Sequence, residues 1–470
     1  MYYQVWHLPP GPFPLPMVGN LIEMDPHTPH KTLTQWAKKY GPVFTVWMPE
    51  ATVVLTSYEG IKEAMIENGE QFLSRPRNFS YEVYSKGNFG LTFSNGPLWR
   101  EQRRLTLQTL KDLRFGTAGL MEDKIHLQST KLIYRITESL QYSVNVDLKP
   151  LIQLCVGNVI CDTIFGRSFD KKEQQFFSLK KLLDNCQQLS LGASSMLIND
   201  YPFLRFVPGF HNYAFEPLKK NVAELRGFII GEVARHLENS EKCQNFLSSY
   251  LHKKATGKWK SFSDIQTITL LTDFLIAGLD PTINTLRWAV LYMIRYPLVQ
   301  KRVHQEINRV LGKKGKVSMA DRTQMPYISA ALTEIQRKAY VVPVNLPRKL
   351  KSSLKIRGLS VPAGTTVLPQ IAALMEDADV FAEAQNFSPD RFIKRGNLKI
   401  GEEMAPFGLG KRRCPGETLA QATIFLVFVN LMQRFSFSAS EGMPPPSEVP
   451  LVGLTSAPRS YLCCVSSRMR

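Results

Sequence analysis

Apolar and polar positions follow two rhythms along the chain, and the points where the rhythm changes define its organisation. Near the N-terminus Leu33, Trp36 and Ala37 sit at helical spacing, and Gly41 ends the run. Phe44 to Trp47 and Thr52 to Leu55 alternate with the period of a strand, predicting a two-stranded pair, and Gly60 to Asn68 returns to helix. From about residue 97 to 340 the helical rhythm dominates, with long stretches at 117–141, 147–165, 217–238, 263–293 and 297–311. Beyond Pro343 it breaks. Arg348 to Val367 predicts short strands interrupted by Gly358, Pro362 and Gly364, and a loop with few regular signals runs on to Cys414. One more apolar helix covers Glu417 to Phe435. The prediction is a mostly α protein with a small β-rich portion supplied by both ends.

Length alone, at 470 residues, is compatible with about three domains. No stretch has the composition of a flexible linker, so residues 21–470 are expected to form a single large domain. Residues 1–20 carry the stiff stretch Pro9-Pro10-Gly11-Pro12, followed by Pro14 and Pro16, which cannot be helical and is expected to act as a hinge. Met1 to His7 is too short for a signal peptide, and no run of about 18 apolar residues predicts a spanning helix. The expectation is a chain without its membrane anchor, peripheral as written. The aromatic stretch Tyr201 to Phe215 suits a membrane interface and core packing equally.

Composition changes the picture by exclusion. Hydrophobic residues at 44% and charged residues at 21% rule out a disordered chain or a fibre. The net charge of +18 favours anionic partners, but no nucleic-acid motif accompanies it, so a solvated basic surface and no nucleic-acid partner are expected. Seven cysteines form no zinc spacing and are expected as reduced, mostly buried thiols, with Cys463-Cys464 in an apolar C-terminal strand.

The densest chemistry lies in Pro406-Phe407-Gly408-Leu409-Gly410-Lys411-Arg412-Arg413-Cys414-Pro415-Gly416-Glu417. A cysteine stands between glycines, behind two arginines and just ahead of a helix. Helix amides and cations lower a thiol pKa, so Cys414 is expected to be poised as a thiolate, a nucleophile or soft metal ligand. The alternative is a structural cysteine beside a turn.

Phe407, Gly410, Arg412, Cys414 and Gly416 fit F-x-x-G-x-R-x-C-x-G, which resembles the haem-binding loop of the cytochrome P-450 superfamily. The resemblance implies the cytochrome P-450 fold and haem b, with Cys414 as the iron ligand whose thiolate favours O–O cleavage. Phe407 would pack near the sulfur, and Arg412 would pair with a haem propionate. Other family marks follow in order. Glu334-Ile335-Gln336-Arg337 resembles the E-x-x-R helix, and Pro389-Asp390-Arg391-Phe392 the P-x-R-F turn, so Glu334, Arg337 and Arg391 are expected to form a structural lock behind the haem loop. Trp99 and Arg103, four apart on a helix after Ser94-Asn95, match a propionate-binding pair, and Arg348 falls where relatives place a base on the other propionate.

Ala277-Gly278-Leu279-Asp280-Pro281-Thr282 resembles the oxygen-binding segment A-G-x-[DE]-T-[TS]. Gly278 would open room over the iron and Asp280 would relay protons. The usual threonine is Pro281 here, with Thr282 following, and a kink is expected. Ile276, Ala277, Val344 and Leu454 are expected to face substrate.

The resemblance implies a monooxygenase of the animal drug, lipid and xenobiotic branches. It would insert one oxygen atom from O₂ into a lipophilic small molecule with electrons from NADPH through a flavoprotein reductase. Cytochrome b5 is a further expected partner, and the location implied is the cytosolic face of the endoplasmic reticulum membrane. Pro281 keeps open a peroxygenase or an isomerase of oxygenated lipids, and a catalytically silent haem or ligand-binding protein stands last.

Overall fold

The edge of a four-stranded sheet organises the N-terminal end. A computed structural model of the protein describes residues 7–25, 28–48, 50–115, 120–169, 173–238, 244–257, 259–312 and 315–468; the expectations for Met1 to Trp6, for 117–119 and for Cys243 lie outside them. Helix α1 (Pro29–Tyr40) ends at Gly41, whose φ of 95° suits glycine. Strands β1 (Val43–Met48) and β2 (Glu50–Leu55) then pair antiparallel, Val43 opposite Leu55. The stretch expected as a hinge lies along β1. Thr45 N–H donates to the Pro10 carbonyl at 2.9 Å, and Asn20 exchanges hydrogen bonds with both backbone groups of Trp47. A Cβ on Gly11 would fall 1.9 Å from the Thr45 oxygen, so only glycine lets the segment come this close. Prolines, which bring no N–H, thereby cover part of an edge strand.

Helix α2 (Tyr58–Lys62), capped by the Ser57 side chain, runs directly into a π-turn at Glu63–Glu67. The helical body follows: α3 (Phe79–Ser85), α4 (Gly96–Phe115), α5 (Leu120–Ser139), then after strand β3 (Asn145–Val146) α6 (Leu148–Phe165), α7 (Glu173–Ser190), α8 (Ala193–Asp200), α9 (Phe210–Glu238) and α10 (Phe246–Ala255). At its centre is α11 (Asp264–Arg295), started by the Ser263 cap and buried without a break from Thr282 to Ile294. It packs against α6, α9, and the later α12 (Pro297–Leu311) and α13 (Pro326–Ala339).

Two expectations change here. Helix α6 is long and apolar enough to cross a membrane by length and composition, although Lys149 and Asp162 interrupt its apolar run. It lies 72% buried inside the protein as a core helix. Helix α11 stays continuous through Pro281, where a kink was expected. Thr285 Oγ1 donates to the Pro281 carbonyl at 2.7 Å.

The C-terminal third returns to the sheets. Strands β4 (Arg348–Lys349) and β7 (Thr366–Pro369) complete the order β1-β2-β7-β4, with β2 and β7 parallel, and β5 (Leu354–Ile356) pairs with β6 (Leu359–Val361). After α14 (Ile371–Met375) and the hairpin β8 (Ile393–Lys394) and β9 (Asn397–Leu398), the chain reaches Cys414 and α15 (Glu417–Arg434). Strands β10 (Phe435–Ala439), the hairpin β11 (Leu451–Val452) and β12 (Ser456–Ala457), and β13 (Cys463–Ser467) close the chain. Cys463 and Cys464 lie in β13, between β10 and β3. One large apolar core joins the helices, and a smaller one lies under the four-stranded sheet.

Candidate active site

Cys414 sits at the end of a loop folded back on itself: its N–H donates to the Phe407 carbonyl at 3.0 Å, and Arg413 N–H to Gly410 at 3.0 Å. Gly410 has φ +75°, and a Cβ there would lie 1.9 Å from the Met65 carbonyl, so the loop is seated directly on the π-turn. Gly416 is under no such constraint; its added Cβ would meet only Cys414 Sγ at 4.0 Å. Cys414 is accessible although it lies deep in the protein.

The thiol does not behave as the local sequence predicts. Burial raises its pKa, and this outweighs the amides of Gly416 and Glu417 and the Arg103 charge, while the Glu417 carboxylate adds to the rise. Arg412 points elsewhere. The protein alone therefore favours the thiol, and a bound cation is what would hold the sulfur as thiolate.

Beside it, four guanidiniums gather without a carboxylate partner among the described residues: Arg75, Arg103, Arg348 and Arg412. Burial, aided by mutual repulsion, pulls Arg348 down to about 9 and Arg412 to about 8, and Arg75 well below its usual value. Arg412 donates to the carbonyls of Leu73, Leu91 and Ser94 at 2.9, 3.2 and 2.6 Å, and stacks 3.8 Å over the Trp99 ring. Arg103 donates to the Arg413 carbonyl. Trp99 Nε1, Arg103 Nε, and Arg348 Nε and Nη1 are buried with no partner among the described residues. Buried cationic donors left open in this way need anions. Two carboxylates of a porphyrin fit them, so the residues present suit the haem that the sequence resemblance implies. Asn95, expected with Ser94 as a helix cap, instead clamps the Arg75 backbone through its amide in both directions.

The lock assembles as expected in geometry. Arg337 makes a bidentate pair with Glu334, both at 2.8 Å, with neither side chain exposed, and Arg391 Nε reaches Glu334 Oε1 at 3.1 Å. The two arginines also bind carbonyls of Met375, Ala382 and Asn386, tying α13 to the segment that leads into the cysteine loop.

On α11, Ala277 is exposed, Ile276, Gly278, Asp280 and Pro281 are half-buried, and Thr282 is buried. Gly278 faces α6: an added Cβ would meet Ile160 at 3.5 Å, an ordinary contact, so its clearance is toward that helix and Ala277 is the open position. Asp280 is held by Lys180 and Gln187 of α7. Val344 packs with the Leu33, Phe44 and Val46 cluster on the sheet, and Ile276 against the main core. Leu454 is half-buried at the tip of the β11–β12 hairpin.

Sequence reasoning missed three residues. Arg75 carried no periodic or motif signal. Lys180 lies outside the long stretches predicted as helix, and looked like one of many basic positions on a solvated surface. Asp273 is a fully buried acid on α11 that accepts from Leu91 N–H, Thr92 N–H and Tyr81 OH at 2.7, 3.0 and 3.0 Å, pinning the loop ahead of α4. A charged residue within an otherwise apolar helical stretch was the available signal.

Comparison with known proteins agrees with this arrangement. The family described as Cytochrome P450 matches residues 9–465. Cytochrome P450 2J5 of Mus musculus is 35% identical over 98% of this chain and 91% of its own. Cytochrome P450 2J2 of Homo sapiens is 35% identical over 97% and 90%, and cytochrome P450 2H2 of Gallus gallus 32% over 96% and 92%. A cysteine loop seated on a buried cation cluster, in a chain matched along nearly its whole length, belongs to the cytochrome P450 family of haem-thiolate monooxygenases.

Proposed function

We propose that Cys414 ligates the iron of haem b, and that the protein inserts one oxygen atom from O₂ into a lipophilic small molecule, with electrons from NADPH through a flavoprotein reductase. The observation that carries this reading is the accessible sulfur beside a cluster of four guanidiniums, two of which, Arg103 and Arg348, keep buried donors open together with Trp99 Nε1. Haem bound through a thiolate supplies the oxygen activation. Trp99, Arg103 and Arg348, which keep donors open, would hold its propionates together with Arg412, whose guanidinium also fastens the loop to 73–94. Asp280 and Thr282 stand where protons must arrive, and Ile276 and Ala277 present an apolar wall to substrate, with Leu454 near the C-terminal end of the same pocket.

Arg100, Arg104 and Lys411 rim an open cleft of about 380 Å³, and Arg322 and Arg413 a second of about 330 Å³. Both clefts border the cysteine loop, and their basic rims suit an acidic electron donor such as the reductase or cytochrome b5. Phe203, Phe206, Val207 and Tyr213 are exposed near Phe13, Leu15 and Met17, the two segments being joined by the Tyr201 hydroxyl on the Met17 carbonyl. An exposed aromatic patch of this kind supports contact with a membrane surface, for which the endoplasmic reticulum is the expected site.

The test is reconstitution with haem, reductase and NADPH against a panel of lipids and xenobiotics, scoring oxygenated product. Product that depends on NADPH and reductase supports the proposal. Pro281 favours one second reading, a peroxygenase, and product from peroxide alone would select it.

A further inference from the structure

An α-helical carbonyl normally receives the N–H four residues on. In α11 the partner of the Ala277 carbonyl is residue 281, a proline with no N–H to give, although the helix continues unbroken from Asp264 to Arg295. Nearby hydroxyls do not replace it. Thr285 donates to the Pro281 carbonyl at 2.7 Å, Thr282 is buried roughly 100° around the helix, and no side chain among the described residues donates to Ala277.

Position makes the missing partner matter. Leu275, Leu279 and every residue from Thr282 to Ile294 are buried, but Ala277 is exposed and Pro281, on the same face one turn later, is half-buried. The open carbonyl therefore lies on the accessible stretch of the central helix. The other polar group there, the Asp280 carboxylate, already accepts from Lys180 at 2.9 Å and Gln187 at 2.8 Å, which uses those donors. What remains on this face is a neutral acceptor, and a ligand that covers it without donating leaves it unpaired at a cost.

We propose that the Ala277 carbonyl is a ligand-binding acceptor, and that the pocket prefers lipophilic molecules carrying an aliphatic hydroxyl over equally apolar molecules without a donor. This rests on the haem-thiolate reading for the pocket's use, but the hydrogen bond itself does not need the haem chemistry. An alcohol fits better than an amine: both oxygens of Asp280 already accept from Lys180 and Gln187, and the buried guanidiniums of the site disfavour a further cation.

The experiment measures the affinities of decan-1-ol and its methyl ether by equilibrium dialysis, in the haem-loaded full chain and in Pro281→Ala and Pro281→Val. Both variants restore the N–H at 281 without adding a hydroxyl, and valine stays near proline in volume. The alcohol-to-ether preference of the unmutated protein, divided by that of each variant, cancels differences in ligand hydrophobicity and any alcohol bound elsewhere. We expect a ratio of about 3–10, the worth of one hydrogen bond, in both variants. A ratio near one in both, or a change in only one of them, overturns the proposal. The thiolate-type band of the reduced CO complex is recorded in the same samples. Its absence would sink the haem-thiolate reading while leaving the affinity ratio interpretable.

Discussion

Lys180 reaches from α7 to Asp280 on α11, placing its ammonium 2.9 Å from Oδ1, with the two side chains only 7% and 13% exposed. Gln187 holds the other carboxylate oxygen at 2.8 Å, and Asp184 shares the ammonium. Burial lowers the Lys180 pKa, but Asp280 and Asp184 outweigh it and hold it above its usual value. A base raised in this way contributes its stability fully below its unfolded pKa and loses it only as pH rises through the folded one, so the pair is intact at neutral pH. Lys180→Met should cost about 3 kcal/mol by stranding a mostly buried carboxylate. It should also move the acid limb of the pH–product profile upward, with Lys180→Arg restoring both. An unchanged profile in Lys180→Met would show that the pair has no hold on proton delivery.

Cys414→Ser should abolish the long-wavelength Soret band of the reduced CO complex and turnover together, because an alcohol is not a thiolate donor. Stability of the haem-free chain should change by less than about 1 kcal/mol, since Cys414 is accessible and not part of the apolar core. A thiolate-type spectrum in the variant would assign the iron to another residue.

Removing Arg337 leaves Glu334 buried with Arg391 alone. Arg337→Ala is expected to lower stability by about 3–5 kcal/mol and to reduce haem retention. Urea unfolding and the haem content of purified protein measure the two effects. Loss of stability with normal haem content would separate the lock from the cysteine loop.

Burial pushes the Asp273 carboxyl up to about 6 despite its backbone donors. An acid raised above its unfolded value takes up protons earlier in the folded state, so stability should rise as pH falls from about 6 toward 4, against the general acid trend. Asp273→Asn can still accept from Leu91 and Thr92 while donating to Tyr81, whose hydroxyl then serves the Phe89 carbonyl. The variant should keep the fold and lose that pH dependence, worth roughly 1–3 kcal/mol. Parallel melting curves from pH 4 to 6.5 would disprove it.

Pro281 leaves position 281 without the hydroxyl expected there by resemblance, and Thr282 is buried beside it. Product formed per NADPH should be low and peroxide release high. Pro281→Thr should raise the first and lower the second several-fold. Tight coupling in the unmutated protein would remove the proline from any account of the chemistry.

Elements with long periodic patterns, such as α6, α11, α12 and α15, were readable because their apolar faces are wide. Helices α7, α8 and α10 were not, since short or weakly patterned segments gain their helicity from packing. The cysteine loop was legible through the spacing of Phe407, Gly410, Arg412 and Cys414. Its electrostatics were not: Lys411 and Arg413 are exposed, Arg412 turns to backbone carbonyls, and burial reverses the expected thiol shift. The partners of Asp280 and Asp273 come from residues about 90–190 positions away, which no local pattern encodes. Proline 10 and its neighbours illustrate the same limit, because stiffness is visible in sequence and the surface it rests on is not.

Arg412 gathers the carbonyls of Leu73, Leu91 and Ser94 onto one guanidinium. The cysteine loop and the 73–94 segment are therefore not independent parts. A ligand large enough to push the 79–93 segment outward must stretch these bonds, and the strain arrives two residues from the sulfur. Under the haem-thiolate proposal, the size of a bound ligand, and not only its polarity, would thus be felt at Cys414.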